Sequence, residues 1–287
     1  MKRNILNSPR LLELKKRRRR IILNKSFFWG VLFLIIFTGL SFISRLDSLN
    51  ISGIEIVGNK LVETEIVKEI VEQELMGNYF WIFPKTNILF YPKNDIEKEL
   101  STKFKRLKDI TFSTGRNKVL EVSVTERVAL YMWCGVVFEF NNDKSSPCYF
   151  LNEDGFIFDE APYFSGEVYF KFYGAISLMG DTPSGSSFSP DIFQKLILFK
   201  EALEGMGLKP ASLYVQENKD IRIFLSSSNL LTGPEIIFKT NADFQKIAEN
   251  LQAALTTEPL QIDFQKKYSS LLYIDLRFGN KVYYKFR

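Results

Sequence analysis

The spacing of apolar residues changes several times along the chain, and each change marks an element. From Ser26 to Ser44 there are nineteen residues without a charge. As a helix this stretch measures roughly 28 Å, close to the hydrocarbon thickness of a bilayer. After a short polar connection over 45–53, Ile54-Glu55-Ile56-Val57 reads as a strand stopped by Gly58-Asn59. Thr64 can cap a helix whose apolar face is Ile66, Val67, Ile70, Val71 and Leu75, with Gly77-Asn78 ending it. Asn94 with Glu97 resembles a capping box ahead of Ile96, Leu100 and Phe104. Two strands follow, around Ile110–Phe112 and Val119–Glu126, joined by a turn at Thr114-Gly115-Arg116-Asn117. In the second, Leu120, Val122 and Val124 alternate with Glu121, Ser123 and Thr125, so one face is buried. The order over 54–127 is β-α-α-β-β.

From residue 128 to 287 short strands dominate. Val128–Trp133, Tyr149–Leu151, Phe156–Phe158 and Val168–Tyr173 have strand texture, and Glu153-Asp154-Gly155 is a turn. Residues 180–189 (GDTPSGSSFS) read as a flexible loop. Ser189-Pro190 then supplies an N-cap and a first-turn proline for a helix with Ile192, Leu196, Phe199, Leu203 and Met206 on one face. Strands are predicted at Leu213–Val215, Ile221–Leu225 and Glu235–Phe238. Asn241 is placed to cap a second helix carrying Phe244, Ile247, Ala248, Leu251 and Leu255. A hairpin follows, in which Leu272, Ile274, Leu276 and Phe278 alternate with Tyr273, Asp275 and Arg277. Gly279-Asn280 is its turn, and Val282, Tyr284 and Phe286 alternate back. The fold class is α+β: an apolar N-terminal helix, a β-α-α-β-β module, and a mixed strand-rich domain with two helices and a C-terminal hairpin.

Charge sharpens the organisation. Residues 1–25 hold ten of the 38 basic residues and one of the 33 acids, so the remainder carries 28 basic and 32 acidic side chains. The net charge of +5 therefore belongs to the tail, and a uniformly basic nucleic-acid surface is not expected. Lys15–Arg20 (KKRRRR) precedes the apolar span and Phe27-Phe28-Trp29 opens it, which predicts a single pass with the N-terminus in the cytoplasm and residues 45–287 outside. The span exceeds the h-region of a cleaved signal and no small-x-small site follows, so it is expected to stay as an anchor. Cys134 and Cys148 then lie in an oxidising compartment, where they can pair or stand as two thiols.

Candidate chemistry is sparse. The chain has no histidine, which excludes Ser-His-Asp and Cys-His schemes and the histidine-containing zinc sets. No Walker loop or GxGxxG occurs. Glu153, Asp154 and Asp159 are carboxylates of the kind a glycosidase pairs, but they sit beside a turn glycine and read as solvated turn residues. Aromatic residues fall mostly at alternating strand positions and read as core. A binding or structural protein without cofactor or metal is the expectation, not an enzyme.

The combination resembles the bacterial cell-division family FtsQ/DivIB. Carrying the resemblance to its POTRA domain are Ile54-Glu55-Ile56-Val57-Gly58-Asn59, the helix at Thr64–Glu74, Gly77-Asn78-Tyr79-Phe80, and Leu120 to Arg127 with its Val-x-Glu-Arg ending. Tyr149-Phe150-Leu151 through Asp154-Gly155-Phe156-Ile157-Phe158 and Tyr273–Phe278 resemble its β domain. The chain departs from the family pattern in lacking prolines at Val128-Ala129 and at Lys105–Lys108, and in an insertion at Asn141–Ser146 between the cysteines. The resemblance implies a cytoplasmic-membrane protein of the division septum, a divisome scaffold that recruits FtsB/FtsL-type partners and regulates septal peptidoglycan synthesis. It assigns partner binding to Arg277, Phe278, Gly279, Tyr283 and Tyr284, as an edge strand that accepts another. Phe278 and Tyr284 can equally pack in the core by strand alternation. A POTRA-bearing envelope protein with another client in secretion or envelope assembly is the alternative.

Overall fold

The structure, a computed structural model, describes residues 9–115, 117–136, 138, 147–178, 180–226 and 233–287. The insertion at 141–146 and Arg116 of the predicted 114–117 turn lie outside these residues. The chain forms two compact units, Met1–Thr102 with Asp109–Thr125, and Lys103–Lys108 with Glu126–Arg287.

The first unit begins with helix α1, Pro9–Ser44, long and apolar enough to cross a membrane. It is longer than the uncharged stretch because Lys and Arg are good helix formers and carry the helix back through the basic run. Phe27, Phe28, Phe33, Leu34, Ile35, Leu40 and Phe42 all stand exposed around it. An all-round apolar helix belongs in a core or in lipid. Its last turn is tied down: the amides of Asn50 (3.0 Å) and Asn87 (3.1 Å) both donate to the Ser44 carbonyl. Ser44 and Asn87 are buried, so these bonds satisfy a helix-end acceptor that water cannot reach. Residues 45–53 contain a 3-10 turn, Asp47–Leu49, and are bonded to the segment near Asn87: Ile51 N–H donates to Thr86 O and Ile88 N–H to Leu49 O, each at 2.9 Å.

Strand β1 (Gly53–Val57) lies parallel to β5 (Val119–Glu126), pairing Ile54 with Leu120 and Ile56 with Val122, and β4 (Leu107–Thr114) flanks β5 on the other side. Parallel neighbours need a crossover, supplied here by α2 (Thr64–Leu75) and α3 (Lys93–Lys103). Their buried residues Val67, Ile70, Val71, Leu75, Ile96 and Leu100 belong to the predicted stripes, while Ile66 is half-buried and Phe104 lies past the end of α3. The caps differ from prediction. Thr64 is already helical and accepts from Asn59 Nδ2, while α3 starts at Lys93 with the Pro92 carbonyl accepting from Ile96 N–H. Gly58 turns at φ +90, where a Cβ would strike the Val124 carbonyl, so only glycine fits. Between the helices, β2 (Asn78–Tyr79) and β3 (Phe83–Pro84) form a short hairpin.

In the second unit nine strands form one mixed sheet in the order β14-β13-β12-β11-β10-β9-β6-β7-β8. They are β6 (Tyr131–Trp133), β7 (Tyr149–Leu151), β8 (Ile157–Glu160), β9 (Phe170–Gly174), β10 (Pro210–Val215), β11 (Asp220–Leu225), β12 (Glu235–Lys239), β13 (Leu271–Phe278) and β14 (Lys281–Phe286). Helices α4 (Phe193–Gly205) and α5 (Phe244–Leu255) cover one face, burying Leu196, Phe199, Leu203 and Leu251 with Leu213, Ile223, Phe238 and Ile274. The other face carries Met132, Cys134, Phe150 and Phe158, and Phe138 stacks on Phe224 (4.2 Å, 8°) and meets Tyr173 edge-on. Cys134 and Cys148 are disulfide-bonded.

Four expectations are corrected here. A third helix, α6 (Leu260–Lys267), joins the two predicted; among its described side chains only Leu260 is buried, so no apolar stripe announces it. Helix α5 is capped by Asp243, whose carboxylate accepts from Gln245 and Lys246 N–H, not by Asn241. Helix α4 starts at Phe193, behind a turn in which Ser189 O accepts from Ile192 and Phe193 N–H. Residues 180–189 are anchored, because Phe188 is fully buried in the core and its N–H donates to Gly155 O.

Candidate functional site

The predicted partner-binding residues all lie on the β13–β14 hairpin, at one end of the nine-stranded sheet. Strand β14 pairs only with β13 among the described residues, so its outer row of backbone groups is unpaired. Its side chains alternate. Val282, Tyr284 and Phe286 pack against the helix-covered core, while Lys281, Tyr283, Lys285 and the following Arg287 are exposed. Tyr284 is thus a packing residue, its ring edge-on to Phe286 at 5.8 Å.

Alternation along β13 would put Phe278 on the core face with Ile274 and Leu276. The β13–β14 register slips between Asp275 and Phe278, however, and Phe278 emerges 56% exposed. There it meets Tyr283, itself 49% exposed, edge to face at 5.2 Å and 83°. Gly279 takes φ +67 in the turn, and its carbonyl accepts from Asn250 of α5. The hairpin therefore presents a fixed aromatic pair beside an open strand edge.

Arg277 is committed inside the molecule. Its guanidinium donates to Asp275 (Nη2–Oδ2 2.6 Å, Nε–Oδ1 2.9 Å) and to Asp220 of β11 (Nη1–Oδ2 2.7 Å). Both carboxylates are buried. Burial alone would push the Asp275 carboxyl up, but the side-chain and backbone hydrogen bonds from Arg277 and its charge outweigh that and hold it below the usual range. The side-chain hydrogen bond to Asp275, seconded by the Asp220 bond and both charges, raises Arg277 further against burial. The group that sequence reasoning offered to a partner is the counter-ion of two buried acids. Its guanidinium also lies over the Phe278 ring at 5.8 Å, so the ion cluster and the exposed aromatic are joined. A hollow of about 260 Å³ lies at the turn, lined by Lys239, Lys246, Arg277, Gly279 and Asn280 among others.

The carboxylates considered for catalysis are placed as ordinary ion pairs and turn residues. Glu153 binds Lys108 at 2.7 Å, and that hydrogen bond leads the causes lowering its pKa. Asp159 binds Arg106 at 2.6 Å, and Asp154 lies in a turn capped by buried Asn152, whose Oδ1 accepts from the Asp154 and Phe156 N–H groups and whose amide donates to the Asp154 carboxylate. Among the described residues no group of three or more metal-ligating side chains comes together. Sequence reasoning passed over Lys281 and Lys285, which face outward on β14, and Arg287 just after it; the alternation that puts Tyr283 outside puts the two lysines there too.

No protein-family model matches the chain, and no curated protein is significantly similar to it.

Proposed function

We propose that the protein is a single-pass membrane scaffold whose outer part binds other proteins by strand addition at β14, and that it serves the bacterial divisome in the manner of FtsQ/DivIB. The observation that carries the binding role is the unpaired β14 edge with Phe278 and Tyr283 exposed beside it. A partner strand there gains main-chain hydrogen bonds, and the aromatic pair supplies a specific anchor. Edge lysines discourage self-pairing of like strands, so Lys281 and Lys285 select an acidic, amphipathic partner segment.

The division role rests on the resemblance. It is supported by the β-α-α-β-β order with β1 parallel to β5, the arrangement expected of a POTRA module, and by the strand-rich domain after it. The basic run before the apolar span supports a cytoplasmic N-terminus and an outer location for both units. The partners are then small FtsB/FtsL-like membrane proteins, and the work is recruitment and regulation of septal peptidoglycan synthesis.

The test is Phe278→Ala with Tyr283→Ala in the full-length protein. Both side chains are about half exposed, so stability should move by no more than about 1 kcal/mol. Co-purification of a small membrane partner should be lost and cells should become filamentous. Unchanged capture overturns the edge site, and normal division after depletion of the protein overturns the divisome role.

A further inference from the structure

Five bulky residues stand in a row at Tyr79-Phe80-Trp81-Ile82-Phe83, spanning β2, its turn and the start of β3. Such a run has no polar position to turn toward water, which is anomalous on a soluble surface. The fold divides it: Tyr79, Ile82 and Phe83 are half-buried, while Phe80 and Trp81 are 84% and 92% exposed. Both exposed residues take left-handed backbone, φ +48 and +65, which is strained for bulky L-residues and recurs at functional sites.

The hairpin lies beside the end of α1. The Phe83 ring meets Phe37 edge-on at 5.4 Å, and Arg45 Nε donates to the Ile82 carbonyl at 3.3 Å. Phe37 precedes Ser44 by seven residues, roughly 10 Å back along the helix axis. The hairpin thus reaches the level of the uncharged stretch itself. Leu89 and Phe90, 69% and 62% exposed, follow Asn87, whose amide holds the helix end. Charges around the hairpin are mixed: Lys85 lies over the Tyr79 ring, and Asp95 and Glu74 act on the Tyr79 hydroxyl. No single sign dominates, so attraction to a surface here is apolar.

The geometry points to a second, non-spanning membrane contact, in which the Phe80-Trp81 tip seats in the outer interfacial layer of the bilayer that α1 crosses. The inference rests on the spanning reading of α1. Aromatic rings favour that layer, and the helix contact at Phe37 sets the depth at which the tip meets it. The occupant is lipid, zwitterionic lipid included, and the contact does not depend on salt.

Full-length protein in phosphatidylcholine vesicles tests it, with acyl chains brominated either near the headgroup or near the chain end. The chain has three tryptophans, Trp29, Trp81 and Trp133, and subtracting the emission of Trp81→Phe isolates Trp81. Most of that component should be lost with shallow bromine, less with deep bromine, and equally at low and high salt. A Trp81 component that survives both lipids but is quenched by aqueous iodide overturns the inference. The emission left in Trp81→Phe includes Trp29 of α1. If Trp29 is quenched by brominated lipid while Trp81 is not, the hairpin contact alone fails. If Trp29 also escapes, the spanning reading fails and the contact with it.

Discussion

Replacing Arg277 by Met should do more harm to the second unit than its surface position suggests, and the harm should fade in acid. The Asp220 and Asp275 side chains are 9% and 8% exposed, whereas that of Arg277 is 31% exposed. Removing one partner from a buried ion pair costs about 3–5 kcal/mol, because the remaining charge is stranded. The partial exposure of Arg277 lets water reach the vacated site, which moves the expectation to about 3 kcal/mol. The pH dependence has opposite signs in the two proteins. In the wild type the Asp275 carboxyl is depressed, so its contribution is present above the normal carboxyl range and is lost as pH falls through the depressed value. Without Arg277 burial acts unopposed and the carboxyl is raised, so the variant regains stability as it protonates on the way down. The gap should therefore shrink from pH 7 toward about pH 4. Urea unfolding of the detergent-solubilised chain, followed by Trp133 in a Trp29→Phe/Trp81→Phe background, reads it, since the indole of Trp133 is buried and donates to Gly174 O. A gap below about 1 kcal/mol at pH 7, or one that does not narrow in acid, refutes the reasoning. Changing Asp220 and Asp275 to Asn together with Arg277→Met should recover most of the loss.

Two further outcomes concern the second unit. Cys134→Ala with Cys148→Ala opens a loop whose ends are 14 residues apart, so urea stability should fall by about 3 kcal/mol, with reductant reproducing the loss in the wild type; a wild type indifferent to reductant contradicts this. Gly155→Ala places a Cβ 2.8 Å from the Phe193 ring at a φ of +77, so thermal unfolding should report a loss of about 2–4 kcal/mol, and a change under about 0.5 kcal/mol is the contrary result.

Most strands and the long helices were legible because their signal is local. Two-residue alternation marks β5 and β14, and four- and three-residue steps mark α2 and α5. Helix starts were less so. Asn241 and Asp243 are equally good caps on paper, and only the chain path, which brings Asp243 onto the free N–H groups of Gln245 and Lys246, separates them. The glycine- and serine-rich stretch at 180–189 hid its anchor, since one aromatic, Phe188, holds it to the core. At the hairpin, alternation left Phe278 and Tyr284 open between the surface and the core. Tyr284 packs inward and Phe278 emerges, a split that no single strand announces because a register slip is a property of two strands together. The role of Arg277 was hidden for a related reason: Asp220 is 57 residues away in sequence and is brought alongside only by the sheet order.

The two asparagine amides on the Ser44 carbonyl turn the end of α1 into a bracket instead of a swivel. With α1 seated in the bilayer, the azimuth of the first unit about the membrane normal is inherited from the rotation of the helix within it. A helix advances roughly 100° per residue, so a single residue gained or lost between Phe37 and Ser44 would point the unit toward a different neighbour. If α1 crosses a bilayer as proposed, its apolar positions fix which side of this unit faces a neighbour.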